Sequence, residues 1–396
     1  MKKRSMAALA ALFPLTLIMN GCPDSPADED ETEFIAGNSK VSAYIRTWSL
    51  PAAAREGSHP YWKAGMIKGE YLSDLIIAFA LINSTDGYSL FIPEVNNGFA
   101  LWTEVAALKA KYPHIKVKFS VGGGSAAGLA GYSEMAADPD LRAKFTANVC
   151  KWLEDYDLDG VDIDWEYPVG AEWSGYYRPE DRENYITLLQ GIRDAADALG
   201  EKTGKRYLLS SAIPASNWFI QRNDVKAAAE IVDGLKLMTY DYHGSWSRTT
   251  GHNANIYRDS SGWSTNQSVN AYLRAQVPPE KIIIGVPFYG QVWRGVPEGN
   301  KKTPGLFQTP AGFVNTISWY EIKRNYLSSG YKRYWDDTAK APYLYNGDRW
   351  ISYTDQDHVK ALTNYVKENE LGGLFVWEYA HDMDADLLKT LAVHSQ

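Results

Sequence analysis

The sequence predicts an α/β fold: a closed (β/α)8 TIM barrel with a small α+β insertion between its seventh and eighth strands. Three observations predict it. From Lys40 to the C-terminus, short β-branched runs alternate eight times with segments of helical period, the pattern of parallel strands joined by crossover helices. One of those runs ends in alternating acids, Asp162, Asp164 and Glu166, where a barrel keeps its functional groups. About 80 residues separate the seventh run from the eighth, where a barrel connection needs only about 30, so the excess is an insertion. At 396 residues, with 45% apolar and 22% charged residues, the chain can bury a sizeable core.

The elements follow in order. Residues 1–22 read as a signal peptide: Lys2, Lys3 and Arg4 precede an apolar stretch from Met6 to Met19, too short to span a bilayer permanently. Asn20-Gly21-Cys22 then resembles a bacterial lipoprotein cleavage box, which would leave Cys22 lipidated and the protein attached to a membrane at the cell envelope; an ordinary cleaved signal and an extracellular protein is the alternative. Residues 23–38 are acidic and poor in apolar groups, the composition of a solvated tether. The barrel is assigned to 39–290 and 353–396, and the insertion to 291–352.

Eight strands are expected at Val41–Thr47, Asp74–Ile82, Lys116–Gly122, Gly160–Glu166, Tyr207–Pro214, Gly234–Asp241, Lys281–Tyr289 and Gly372–Trp377. Between them, Leu101, Val105, Leu108 and Tyr112 repeat at helical spacing, as do Leu141, Phe145, Val149, Trp152 and Tyr156, the latter opened by Asp138-Pro139 as N-cap and first-turn proline. Tyr185, Leu188, Leu189, Ile192 and Leu199 mark a longer helix beginning near Pro179. The insertion carries a helical piece at Ile317–Tyr326, and Asp355–Asn369 supplies the helix before the last strand. Cysteine 22 and Cys150 are the two cysteines; with the first lipidated no disulfide forms, and Cys150, beside Val149 and Trp152, is expected to be a buried thiol.

Composition narrows the function. The 14 Trp, 26 Tyr and 12 Phe exceed what a core of this size requires, and flat rings with polar edges suit the faces of sugars. A net charge of −8 argues against a polyanionic partner such as nucleic acid. The seven His are scattered, with no H-E-x-x-H run and no ligand neighbour for His243, so no metal is expected. The absence of a phosphate loop or dinucleotide fingerprint leaves no organic cofactor implied, and a monomer is expected.

Asp159-Gly160-Val161-Asp162-Ile163-Asp164-Trp165-Glu166 is the strongest chemical signal. Alternation along a strand puts Asp162, Asp164 and Glu166 on one face and Val161, Ile163 and Trp165 on the other. Three acids in one low-dielectric interior cannot all ionise, so a proton is held among them and their pKa values are driven apart. A solvated acidic strand or a divalent-cation site is the competing reading of the spacing.

This run resembles the DxxDxDxE signature of glycoside hydrolase family 18, the chitinases and related endoglycosidases. The resemblance implies a (β/α)8 barrel and a retaining, substrate-assisted mechanism on β-1,4-linked N-acetylglucosamine polymers. Glu166 would be the general acid and base, Asp164 would orient the acetamido group, and Asp162 would share a proton with Asp164. Ser120-Val121-Gly122-Gly123 is similar to the family's SxGG motif. Met238-Thr239-Tyr240-Asp241-Tyr242 is similar to its MxYD segment, in which Tyr240 and Asp241 would bond the acetamido group. Pro287-Phe288-Tyr289-Gly290 closes the seventh strand, followed by Gln291 where relatives often carry Arg. Gly373-Leu374-Phe375-Val376-Trp377-Glu378 matches the last strand, making Trp377 the floor under the reacting sugar, with Tyr44 as a further floor aromatic. The implied substrate contacts are thus Tyr44, Ser120, Gly122, Gly123, Trp165, Met238, Asp241, Tyr242, Tyr289 and Trp377, beside Glu166, Asp164, Asp162 and Tyr240 in catalysis. The insertion resembles the small domain of one chitinase subgroup, a cleft wall beside which Trp102, Trp246 and Trp263 are candidates to stack sugars. An endo-β-N-acetylglucosaminidase acting on N-glycans and a non-catalytic, lectin-like chitin binder are the alternatives.

Overall fold

The computed structural model describes residues 40–55, 57–170, 177–258 and 262–396. The signal segment, Cys22 and the acidic tether lie outside them. Strands β1 (Val41–Arg46), β2 (Asp74–Asn83), β3 (Ser89–Phe91), β4 (Lys116–Gly122), β5 (Gly160–Asp164), β6 (Leu208–Pro214), β7 (Gly234–Met238) and β8 (Ile282–Pro287) come first. They are followed by β9 (Tyr289–Arg294), β10 (Gly312–Ser318), β11 (Lys332–Asp336), β12 (Ala341–Tyr345), β13 (Trp350–Ser352) and β14 (Gly373–Trp377).

Eight of these strands pair in parallel in the order β1-β14-β8-β7-β6-β5-β4-β2, and β2 pairs again with β1, so the sheet closes on itself as a barrel. Strand β3 adds antiparallel to the outer end of β2. All eight expected barrel strands are present, and they differ from expectation at their ends. Strand β5 stops at Asp164 and β7 at Met238, so Glu166, Tyr240 and Asp241 stand just beyond their strands, on the chain that turns out over the barrel mouth.

Alternation builds two cores. Val161, Ile163 and Trp165 face outward and pack with Phe145, Val149 and Leu153 of the helix Pro139–Asp155 and with Tyr185, Leu188 and Ile192 of the helix Asp181–Thr203. The first of these helices starts where Asp138 accepts hydrogen bonds from the Asp140 and Leu141 amides, with Pro139 in its first turn. The second starts at Asp181, two residues past Pro179. Inside the barrel, Tyr44, Ile76, Ala78 and Phe375 form a smaller apolar layer. Cys150 is half-buried against the outer core rather than enclosed by it.

Strands β10-β9-β13-β12-β11 form a separate antiparallel sheet between β8 and β14, around Trp293, Leu306, Tyr343, Tyr345 and Trp350. Its helix is Trp319–Asn325, shorter than expected, because Ile317 and Ser318 end β10 and Ser318 caps the helix reciprocally with Glu321. Asp355 caps the helix Gln356–Glu368 that returns the chain to β14. One residue, Phe288, separates β8 from β9, so barrel and small sheet share a nearly continuous strand.

Candidate active site

Asp162 sits fully buried in the barrel interior and accepts four hydrogen bonds. Tyr44 Oη (2.7 Å) and Ser120 Oγ (2.8 Å) donate to one oxygen; Ser210 Oγ (2.6 Å) and Lys236 Nζ (2.8 Å) donate to the other. Four donors, one of them an ammonium, satisfy a carboxylate completely. Burial alone would raise its pKa, yet the Lys236 charge and these donors hold it below the ordinary carboxylate range.

Asp164 is placed differently. It is buried, and its Oδ1 has no hydrogen-bond partner among the described residues. Burial, then the nearby Glu166 and Asp162, drives its pKa well above the usual range, which favours its protonated form. Glu166 lies two residues on and opens into the larger of two adjoining cavities. Burial pushes it up to about 7, with the negative Asp241 adding to the rise and a hydrogen bond from Tyr167 opposing it. Gly124 faces this carboxyl: a Cβ there would stand 3.1 Å from Glu166 Oε1. Gly122, at φ 115°, lies so close to the acid strand that a Cβ would collide with the Asp164 carbonyl oxygen, and the Gly123 amide donates to that same oxygen at 2.8 Å.

The larger cavity, about 520 Å³, is lined by Glu166, Met238, Tyr240, Asp241, Trp246 and Trp263, among others. The smaller, about 250 Å³, lies between the barrel and the small sheet and shares Asp241 and Trp246; Tyr289, Gln291, Thr316 and Trp377 also line it. Asp241 opens to the cleft at φ 57° and accepts bonds from Tyr289 Oη (2.7 Å) and Gln291 Nε2 (3.1 Å). Crowding by the cleft walls raises its pKa, and these two donors oppose the rise. Gln291 in turn accepts from Thr316 Oγ1 at 2.9 Å, tying Asp241 to β10. Around the mouth the rings of Trp377, Phe79 and Trp48 follow one another near-parallel, 5.6 and 6.4 Å apart between centroids. Glu378, just past Trp377, is buried on Arg46, whose Nε donates at 2.6 Å, which anchors the end of β14.

The expected residues thus divide by depth. Glu166, Met238, Tyr240, Asp241, Tyr242, Tyr289 and Trp377 line the two cavities, and Gly122 and Gly123 line a third hollow with Trp48 and Phe79. Tyr44 and Ser120, expected as substrate contacts, are 1% and 0% exposed and donate hydrogen bonds to Asp162 instead. Trp165 is a correction: 2% exposed, it stacks on Tyr132 at 4.9 Å in the outer core, because alternation turns it away from the interior. Trp102 likewise stacks on Tyr156 in the helix layer, whereas Trp246, 64% exposed, and Trp263 stand in the cleft. His243 is a loop residue whose ring bonds the His252 carbonyl. Sequence reading missed Lys236, Ser210 and Thr316. Lys236 was within reach, since period two along β7 puts it on the interior face with Met238.

The family model for glycosyl hydrolases family 18 matches residues 40–384. The chain belongs to this family. As a family 18 protein it is 37% identical over 305 residues to Chitinase A1 of Niallia circulans, covering 72% of this chain and 43% of that one. Among solved structures, the family 18 N-acetylglucosaminidase of Paenibacillus barengoltzii matches 90% of this chain and 100% of its own at 33% identity and a TM-score of 0.78. The family 18 chitinase of Cycas revoluta in complex with (GlcNAc)3 matches 90% and 99% at 25% identity and a TM-score of 0.76. The chain spans between 43% and 64% of the length of three curated relatives it matches.

Proposed function

We propose that this protein is a retaining hydrolase of β-1,4-linked N-acetylglucosamine chains, chitin or chitooligosaccharides, in which Glu166 is the general acid and base. One observation carries the reading: a carboxyl group raised to about 7 by burial opens into a cavity beside the protonated Asp164. A group with that pKa still holds its proton near neutrality and can pass it to a leaving oxygen. The sugar's own acetamido oxygen attacks the anomeric carbon as the glycosidic bond breaks, and the bridge oxygen leaves with the Glu166 proton. Asp164 stabilises the positive oxazolinium ion so formed, Tyr240 and Asp241 hold the acetamido group and sugar hydroxyls, and Trp377 supports the ring's apolar face. Ionised Glu166 then takes a proton from the water that opens the intermediate from the same face, so configuration is retained.

The similarity to a chitinase solved with (GlcNAc)3 supports this substrate class. Export by residues 1–22, attachment through Cys22, a cell-envelope or extracellular site of action and a monomeric state complete the proposal. The decisive experiment incubates the protein with soluble chitin oligomers of defined length and follows the products. Cleavage bears the proposal out; turnover confined to N-glycoproteins selects the endo-β-N-acetylglucosaminidase reading, and binding without turnover selects the lectin-like one.

A further inference from the structure

The barrel interior holds two buried lysines. Lys118 on β4, 5% exposed, pairs with Asp74 of β2 at 2.8 Å. Lys236 on β7, 0% exposed, pairs with Asp162 of β5 at 2.8 Å and donates to Ser210 Oγ of β6 at 2.5 Å. The groups that face Lys236 are Asp162, Lys118, Asp74 and, with its ring centroid 5.7 Å from Nζ, Tyr44 of β1. Each lysine therefore has one carboxylate, and of the interior acids Asp74, Asp162 and Asp164 the one left without an ion pair is Asp164.

We propose that Lys236 is a positioning residue that fixes Asp162 as a permanent anion, so that the mobile proton of the acid row resides on Asp164 and Glu166 and is not shared between Asp162 and Asp164. This inference rests on the hydrolase reading above and replaces the proton-sharing role that resemblance alone gives Asp162. Geometry carries it. Both oxygens of Asp162 are filled, two donors each, by hydrogen bonds from β1, β4, β6 and β7. A proton added to Asp162 would have to displace one of those donors and leave a buried ammonium beside a neutral acid, a costly arrangement. Burial pulls Lys236 down to about 8, which still leaves it charged at neutral pH against Asp162.

The consequence for catalysis is a charge one step further along the row. A fixed anion at Asp162 keeps Asp164 protonated at rest; once Glu166 has given its own proton to the leaving oxygen, the Asp164 proton bridges the two carboxyls, and it is back on Asp164 when ionised Glu166 takes the proton of the attacking water. No external donor is needed, because the proton only moves between neighbouring carboxyls and returns when water is activated.

The test has two arms. In the protein carrying 13C-carboxyl aspartate, resonances are assigned with Asp162→Asn and Asp164→Asn and followed by NMR against pH. Asp162 is expected to keep a carboxylate shift from about pH 5 to about pH 8, while Asp164 keeps a protonated one at the acidic end. In Lys236→Met, which retains bulk without charge, Asp162 is expected to titrate. The acid limb of kcat/KM should then move up by about one to three pH units, the span an adjacent opposite charge sets. A purely structural lysine would lower stability and leave that limb in place. An Asp162 resonance that titrates with Asp164 in the unsubstituted protein, or a folded Lys236→Met with an unmoved acid limb, overturns the proposal. Should Lys236→Met not fold, the resonance in the unsubstituted protein decides alone. A protein that hydrolyses no chitin oligomer refutes the function reading, and the carboxyl resonances still report the charge of Asp162.

Discussion

Glu166 is the residue whose perturbation reads the mechanism directly. Its pKa of about 7 arises mainly from burial, so the acid form is present below that pH and lost as pH rises through it. From pH 6 to pH 9 the protonated fraction falls from about nine-tenths to about one-hundredth, and a reaction that needs this proton should slow by about 90-fold in kcat/KM. Glu166→Gln keeps the shape and removes the proton. Because the proposed mechanism has the same residue activate water later, the variant should lose at least the 10²- to 10⁴-fold typical of one acid or base and should lose the alkaline limb with it. Steady-state hydrolysis of a chitin oligomer across this range is the assay, with binding measured by titration calorimetry. An aryl glycoside with an acidic leaving group needs less protonation and should show a shallower limb. A profile flat to about pH 9, or a variant within tenfold of the parent, would refute the role given to Glu166.

Other consequences are as specific. Gly122→Ala forces a side chain onto a backbone at φ 115° and against the Asp164 carbonyl, and should lower the unfolding free energy by at least about 2 kcal/mol, read from urea denaturation. Gln291→Ala removes one donor to Asp241 and the link to Thr316, so kcat/KM should fall about tenfold, ~1.4 kcal/mol, with the melting temperature little changed; an unaltered kcat/KM would show that Tyr289 alone holds Asp241. Products observed by proton NMR in the first minutes should be the β-anomer, and an initial α-anomer would rule out participation by the acetamido group.

The barrel was legible because each strand is a short apolar run and each crossover helix keeps its period, as in Leu141, Phe145 and Val149, which the structure buries or half-buries on one face. The acid row was legible for the same reason: period two separates Asp162 and Asp164 from Val161, Ile163 and Trp165. That rule also contradicts Trp165 as a substrate contact, since an outward ring cannot reach the interior. What sequence could not give is depth. Tyr44 and Trp377 are both aromatic residues on barrel strands, yet one is enclosed beneath the other, with centroids 5.6 Å apart, and only Trp377 meets the cleft. Partners distant in the chain were equally hidden. Lys236 is an ordinary charged residue in an apolar run until the closure of the barrel brings it to Asp162, 74 positions away.

Strand β9 does two jobs at once. Its Tyr289 and Gln291 grip Asp241, while its backbone pairs with β10 and β13, so the wall of the groove and the hook on the carboxylate are the same piece of backbone. Grafting a different wall onto this scaffold, whether by natural recombination or by engineering, therefore succeeds only if the incoming segment restores both side chains at the same register.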